Sequence, residues 1–186
     1  MLEVNFSPFP KLSTTRLLLR RLEATDAEQL FTLRSDEKVM KYIGKKPMEN
    51  IDEANAFINL INDNVNNNSG INWAITLKEA PGNLIGVIGL WRIIKEHYRA
   101  EIGYMLRPEF WRKGIINEAI LGVTDYGFSE MKLHSIQGNI NAINIASAKA
   151  LESAGFVREA FFKEDFFFDG KFVNTEIYSI LNPNPF

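Results

Sequence analysis

The sequence predicts a mixed α/β (α+β) fold, in which helices flank a β-sheet. Three observations support this: alternating apolar and polar residues in successive segments between residues 71 and 106, a strand–helix–strand order between residues 100 and 138, and two long segments around Asp169-Gly170. The 186 residues, 46% hydrophobic and 24% charged, fit one soluble domain with a sizeable core.

The first elements are a strand and two helices. Residues 16–22 (RLLLRRL) are typical of a strand, and the spacing of Thr25 and Glu28 predicts a capping box at the start of the first helix. Asn50 and Glu53 are placed to cap the second helix. Its apolar residues follow a helical period: Ala54, Phe57, Ile58, Ile61 and Val65.

Three strands are expected next, followed by a helix and a further strand. Residues 71–77 alternate as a half-buried strand, a turn at residues 81–83 leads into residues 84–91, and residues 100–106 complete an antiparallel meander. Residues 116–131 carry apolar side chains at helical spacing, and residues 133–138 are typical of a strand.

The C-terminal third is predicted to contain a helix and a hairpin. Residues 145–154 form the helix, with Gly155 at the position that favours a left-handed backbone. Residues 161–168 and 171–181 flank Asp169-Gly170, a strong signal for a two-residue hairpin turn.

Composition and charge disfavour several classes of protein. A net charge of -2 and a pI near 5.8 argue against direct nucleic-acid binding. The absence of cysteine excludes disulfides, thiolate nucleophiles and Cys-ligated metals, and His97 and His134 lack the spacing of a metal site or a triad. We find no signal-peptide pattern and no apolar run of the roughly 20 residues that span a bilayer, so a cytoplasmic location without membrane contact is expected.

One junction in the sequence predicts an anion site. Residues 101–106 are typical of a strand, Pro108 ends it, and a short basic loop containing Gly114 opens into the helix that begins near Ile115. Free backbone N–H groups and the positive end of the helix dipole meet at such a junction. We therefore expect it to bind a phosphate or pyrophosphate.

Four segments of the sequence, in order, carry a resemblance to a known family. They are residues 13–20 (STTRLLLR), 84–90 (LIGVIGL), 111–119 (WRKGIINEA) and 144–156 (NIASAKALESAGF). The chain resembles the GNAT superfamily of N-acetyltransferases, and within it the RimJ/RimL-like branch of ribosomal-protein N-terminal acetyltransferases. The resemblance implies one acetyltransferase domain over residues 1–186, with a core of about 13–181, and a sheet splayed at its centre. It also implies acetyl-CoA as cosubstrate, without a metal.

The resemblance also implies the cofactor site. The pyrophosphate would bind the backbone of a loop whose residues are Trp111, Arg112, Lys113, Gly114, Ile115, Ile116 and Asn117. Trp111 replaces the family's Gln or Arg, and Ile116 replaces its second small residue. The side chains of Arg112 and Lys113 either contact phosphate or are solvated surface cations.

The remaining contacts implied by the resemblance surround the thioester. Backbone N–H groups near Met105 and Leu106 are expected to bind the pantetheine and the thioester carbonyl as an oxyanion hole. Asn144 is expected to contact the pantetheine, with capping of the following helix as the alternative.

Two side chains are expected to act in catalysis. Ser147, in the Asn-x-x-Ser motif, would donate to the departing thiolate, and Tyr104 would replace it if Ser147 is structural. Glu101, an acid in an otherwise apolar strand, would accept the amine's proton through water. Its alternative role is a salt bridge with Arg92 or Arg99.

The acceptor is expected to be a protein or peptide N-terminus. Removing a proton from an α-amine with a pKa of about 7.7–8.0 requires a few tenths of a kcal/mol at pH 7.5, against about 4 for lysine. One alternative is a small amine (a polyamine, an amino acid or an antibiotic), for which acids near the first helices are available: Asp36, Glu37, Glu49, Asp52 and Glu53. Another is an acyl-CoA-binding module without turnover.

The C-terminal hairpin is rich in phenylalanine. Six of these residues lie between positions 161 and 172: Phe161, Phe162, Phe166, Phe167, Phe168 and Phe172. Most are expected in the core. The alternatives are a homodimer face or a wall of the acceptor site.

Overall fold

The protein has an eight-stranded mixed sheet that is flanked by helices on both faces. The computed structural model describes residues 1–184. The strands are β1 (Leu12–Ser13), β2 (Leu17–Arg20), β3 (Ile71–Leu77), β4 (Gly86–Ile94), β5 (Arg99–Leu106), β6 (Ser135–Asn141), β7 (Val157–Phe168) and β8 (Lys171–Leu181). The helices are α1 (Ala27–Ser35), α2 (Glu37–Met40), α3 (Ile51–Asn66), α4 (Ile115–Ser129) and α5 (Ile145–Ser153). The predicted mixed α/β fold is confirmed.

The strands lie in the order β1-β2-β3-β4-β5-β6-β8-β7. The predicted meander is confirmed, because β3 pairs with β4 and β4 with β5, both antiparallel. The β5–β6 pair is parallel, and α4 lies between these two strands in the chain. The other neighbouring strands pair antiparallel.

The start of α1 differs from the prediction. A 3₁₀ turn at Ala24–Asp26 precedes the helix, and the buried Asp26 carboxylate accepts from Glu23 N–H at 2.8 Å and from Arg20 at 2.6 and 2.8 Å. This ion pair ties the helix start to β2, so the predicted capping box of Thr25 and Glu28 is wrong. The charge-assisted hydrogen bonds of a buried pair fix the start of the helix more strongly than a cap by an exposed threonine hydroxyl.

The other predicted turns and caps are confirmed. Asn50 Oδ1 accepts from Glu53 N–H at 3.1 Å at the start of α3. Gly155 has φ +91° just beyond α5. Asp169 and Gly170 have φ +48° and +76°, as a type I′ hairpin turn requires.

Each face of the sheet has its own apolar core. On one face, α1 and α3 cover side chains of the sheet that include Ala74 and Val87. On the other face, α4, α5 and the N-terminal segment pack on the larger core. Leu2 and Phe6 are buried there, so this core includes residues that precede the expected 13–181 range.

The sheet separates at its centre. Pairing between β5 and β6 ends at Ile102 and Gly138. Beyond that point β6 continues beside β8, and β5 continues beside β4 as far as Leu106. A gap therefore opens between residues 103–106 and β6, which confirms the predicted splay.

The phenylalanine-rich hairpin lies mostly outside the core. Five of its phenylalanines are 44–61% exposed: Phe161, Phe162, Phe166, Phe167 and Phe172. The expectation that most of them are core residues is therefore wrong, because β7 is an edge strand with exposed residues along most of its length. Within residues 1–184, the helices are all too short or too polar to cross a membrane.

Candidate active site

The 111–117 loop presents a row of free backbone donors. Arg112 and Gly114 have φ +59° and +71°, and the first bond of α4 runs from Glu118 N–H to Gly114 C=O at 3.1 Å. Among residues 1–184, the backbone N–H groups of residues 112–117 donate no well-formed hydrogen bond. These groups and the N-terminus of the 15-residue helix α4 can therefore bind an anion.

Glu118 holds the loop in place. Its carboxylate accepts from Thr14 Oγ1 at 2.5 Å and from Arg16 N–H and Nε, both at 2.7 Å. Arg16 Nη1 donates to Lys113 C=O at 2.8 Å, so the residues just before β2 and the loop form one hydrogen-bond network. Burial by itself would raise the pKa of Glu118, but the hydrogen bonds from Thr14 and Arg16 outweigh it and lower that pKa.

Trp111 and Ile116, the two departures from the family pattern, have structural positions that explain them. The indole Nε1 of Trp111 donates to Leu106 C=O at 2.7 Å and so ties the loop to the end of β5. Ile116 packs against the larger core, beside the buried Ile115. The bulk of Ile116 therefore fills the core under the helix.

The remaining members of the loop differ in exposure. The side chains of Arg112 and Lys113 are exposed, and Lys113 Nζ lies 5.6 Å from the Phe110 ring centre. Asn117 is half-buried in the first turn of α4. Cofactor binding by these residues stays a prediction.

The end of β5 directs two N–H groups into the gap of the sheet. Arg107 N–H donates to Ile85 C=O at 2.8 Å, toward β4. Because successive N–H groups of a strand point in opposite directions, that of Met105 faces β4 and those of Tyr104 and Leu106 face the gap. The expected oxyanion hole is thus better placed at Leu106 than at Met105.

Tyr104 and Ser147 form a partly buried pair of hydroxyl groups. Tyr104 Oη lies 2.8 Å from Ser147 Oγ, and Ser147 is 8% exposed. Burial raises the pKa of Tyr104 to about 12, although the hydrogen bond with Ser147 acts in the opposite direction. The pair joins β5 to α5 at the point where β5 has left β6.

Asn144 caps α5. Its Oδ1 accepts from Ser147 N–H at 3.1 Å, so the alternative role noted from the sequence is present. The cap orients the first turn of α5 and with it the Ser147 side chain. The side-chain NH₂ of Asn144 is not used by this bond, and its contact with pantetheine stays a prediction.

Glu101 lies on the other face of β5. Its Oε2 accepts from Arg92 Nη1 at 2.9 Å and from Asn139 Nδ2 at 3.0 Å. Among residues 1–184, Oε1 has no hydrogen-bond partner, which leaves this oxygen for a water or a substrate. Glu101 and Ser147 therefore do not contact each other, and β5 separates them.

Trp91 is a site residue that sequence reasoning missed. Its indole lies directly over Gly103, so that a Cβ at Gly103 would overlap the ring. The ring covers β5 between Glu101 and Met105, on the face opposite Tyr104. A glycine inside a strand signals close approach by another group, and this was the only available sequence signal for the contact.

Two of the acids available for a polyamine act as local hydrogen-bond acceptors instead. Asp36 caps α2 through the N–H groups of Lys38 and Val39, and Glu53 accepts from Glu49 N–H at 3.2 Å. These roles agree with helix capping at both positions.

We predict that Glu118→Gln destabilises the fold by about 1–3 kcal/mol at pH 7, because it removes a carboxylate that accepts three hydrogen bonds. The lowered pKa means that this contribution is present at neutral pH and is lost as Glu118 becomes protonated. The difference from the parent protein should therefore shrink below about pH 4 in urea unfolding. The exposed Glu79→Gln serves as control, and an equal loss at pH 7 and at low pH would contradict the assignment.

Comparisons with known proteins agree with this geometry. Residues 16–157 match the Acetyltransferase (GNAT) domain. The uncharacterized N-acetyltransferase YoaA of Bacillus subtilis strain 168 is 37% identical over 175 residues, which cover 94% of this chain and 98% of YoaA. A GNAT-family acetyltransferase from Bacillus anthracis superposes with a TM-score of 0.83 at 30% identity, over 94% of this chain and 100% of that one. Spermidine N-acetyltransferase from Vibrio cholerae, solved with CoA and spermine, superposes with a TM-score of 0.78 at 29% identity, over 89% of this chain and 95% of that one. The chain belongs to the GNAT family of acetyltransferases.

Proposed function

We propose that this acetyltransferase is a member of the RimJ/RimL-like branch that moves the acetyl group of acetyl-CoA to the α-amine of a protein or peptide. The observation that carries the proposal is that the loop with the free N–H row at residues 112–117 is tied by Trp111 to Leu106, at the end of β5 that borders the gap. A phosphate cradle and an unpaired strand edge then lie where one extended acyl-CoA can use both.

The backbone binds and polarises the donor. The N–H groups of residues 112–117 bind the pyrophosphate, and the Leu106 N–H donates to the thioester carbonyl as negative charge develops on its oxygen. The acceptor amine attacks this carbonyl carbon, the C–N bond forms, and the C–S bond breaks. The products are the N-acetylated acceptor and coenzyme A.

The hydroxyl pair stabilises the departing sulfur. With a pKa of about 12, Tyr104 is a weaker acid than a thiol with a pKa of about 8.5, so complete proton transfer from it to the thiolate is uphill by several kcal/mol. One hydroxyl of the Tyr104–Ser147 pair therefore donates a hydrogen bond to the sulfur. The thiolate then takes up a proton from solvent, and the proton that the amine nitrogen loses after attack goes to the water beside Glu101.

The proton leaves the amine on the other side of β5. Glu101 is oriented by Arg92 and Asn139 through one oxygen, and its Oε1 accepts a proton through a bridging water. An α-amine suits this arrangement, because roughly half or more of it is free of its proton near pH 8.

A polyamine is the second candidate acceptor. It is favoured by the similarity to the spermidine N-acetyltransferase of Vibrio cholerae, at 29% identity. Acetylation rates for a peptide library and for spermidine, measured side by side by thiol release from acetyl-CoA, decide between the two. Absence of thiol release with every amine would instead indicate a binding module.

We predict that Gly114→Val abolishes acetyl-CoA binding. Valine at φ +71° is strained by about 1–2 kcal/mol and displaces the N–H groups that bind the pyrophosphate. The control is Gly170→Val, which places the same strain at φ +76° in open space at the hairpin turn. Calorimetry should show loss of binding for Gly114→Val alone, and unchanged affinity for this variant, if it folds, contradicts the assignment.

We predict that Ser147→Ala and Tyr104→Phe each lower kcat, by roughly 10- to 100-fold, and leave acetyl-CoA affinity nearly unchanged. Because the two hydroxyls act as a pair, the double variant should lose little more than the worse single variant. Tyr126→Phe is the control, since Tyr126 is a buried tyrosine packed on Trp73. Unchanged turnover in both single variants would make the pair structural.

We predict that Glu101→Gln depresses turnover most at low pH, where the acceptor amine is protonated, and much less above about pH 9. The control is Glu176→Gln, whose carboxylate is similarly buried and is paired with Arg158 at 2.8 Å. A pH–rate profile tests this, and a loss by the same factor at every pH would show that Glu101 only positions other groups.

A further inference from the structure

Arg34 is a buried cation with no anionic partner among residues 1–184. It lies in the last turn of α1 and is 9% exposed. Within residues 1–184, no carboxylate lies within ion-pair distance of its guanidinium, and Nε is buried with no hydrogen-bond acceptor. Nη1 contacts Met105 Sδ at 3.8 Å, and the guanidinium carbon lies 4.1 Å from the centre of the Phe57 ring.

Such a group is unfavourable in the free protein. Burial lowers the pKa of Arg34, but a guanidinium keeps its charge at physiological pH. The Phe57 ring and the Met105 sulfur offset part of the lost hydration, and neither replaces an acceptor oxygen. Arg20, by comparison, is partly buried and has Asp26 as partner at 2.6 Å. An unmatched buried donor of this kind points to an acceptor that arrives with a ligand.

The position of Arg34 indicates which ligand. Met105 belongs to the part of β5 that has left β6, and it shares a face with Glu101. Arg34 therefore borders the gap on the side where the amine loses its proton, away from Tyr104 and Ser147. A guanidinium fork matches a carboxylate in shape and charge.

We propose that Arg34 binds a carboxylate of the acceptor, so that the enzyme selects amines that carry a carboxylate over polycations. This inference rests on the proposed acetyl transfer to an α-amine and names a second group of the acceptor that the enzyme would recognise. The carboxylate is either the α-carboxylate of an amino acid or an acidic side chain next to a peptide N-terminus. The ammonium groups of a polyamine would instead meet a like charge in a region of low polarity.

Matched pairs of acceptors distinguish an α-carboxylate from an acidic side chain as the group that Arg34 binds. Alanine is compared with alaninamide, the dipeptide amide Ala-Glu with Ala-Gln, and spermidine is tested alone. In at least one of the two pairs, the parent enzyme should prefer the acceptor with the carboxylate over its amide counterpart by roughly ten-fold or more in kcat/KM. Arg34→Gln should abolish this preference, mainly through KM, with acetyl-CoA affinity unchanged.

Arg21→Gln is the control, because Arg21 lies over Phe9 and its guanidinium donates to the neutral side-chain amides of Asn62 and Asn66. If Arg34→Gln does not fold, Arg34→Lys replaces it. Lysine keeps the positive charge but cannot bind a carboxylate through two parallel N–H groups, so it should weaken the preference for the carboxylate without removing it. A parent enzyme that prefers spermidine or the amide members, or an Arg34→Gln variant that keeps the parent preference, overturns the proposal.

A binding measurement distinguishes failure of this inference from failure of the proposed function. Calorimetry with coenzyme A present measures affinity for N-acetyl-alanine, N-acetyl-Ala-Glu amide and their uncharged counterparts. If no amine is acetylated, the proposed function fails, and weaker binding of the charged compounds to Arg34→Gln still supports the role of Arg34. Equal affinity of parent and variant for both compounds of each pair contradicts it.

Discussion

The separation of β5 from β6 after Ile102 and Gly138 is the constraint on which the centre of the candidate site depends, because it frees the edge of β5 at residues 103–106. A β-strand that loses its neighbour exposes N–H and C=O groups, which ordinarily favours pairing with another chain. Here the exposed edge lies inside the fold, where α5 packs across the gap and brings Ser147 to Tyr104. A bound thioester that uses these groups would take the place of the missing strand.

The two faces of β5 have different chemical characters, which suits acyl transfer. Hydroxyl groups lie on the α5 side, where Tyr104 and Ser147 meet. The carboxylate of Glu101 lies on the opposite side, with the Trp91 ring beside it. In the proposed mechanism, attack on the carbonyl and departure of the sulfur would be served by different groups, and neither group would have to change its protonation for the other to act.

The loop at the mouth of the gap depends on a network that crosses the chain. Glu118 in α4 joins Thr14 and Arg16, about a hundred residues earlier in sequence, and Arg16 joins the loop carbonyl of Lys113. The free N–H groups of the loop are consequently held ready before any anion binds, so little ordering is needed on binding. This arrangement links the stability of the fold to the geometry of the candidate cofactor site.

The elements and the loop could be predicted from local sequence because their causes are local. Apolar periodicity sets the helices and strands, Asp169-Gly170 adopts the positive φ values that a tight turn needs, and Gly114 allows the left-handed residue before α4. The family resemblance rests on the same short segments. It predicted roles for the 111–117 loop, Asn144 and Ser147, and it did not show that Tyr104 shares a hydrogen bond with Ser147.

Only the tertiary structure decided which side chains meet and which remain exposed. The Glu118 network, the Trp91 ring over Gly103 and the lone guanidinium of Arg34 join segments that are distant in sequence, and local pattern carries no record of such contacts. The phenylalanines of β7 follow a pattern that a buried strand would also show. Their exposure depends on the position of β7 at the edge of the sheet, which is set by the order of all eight strands.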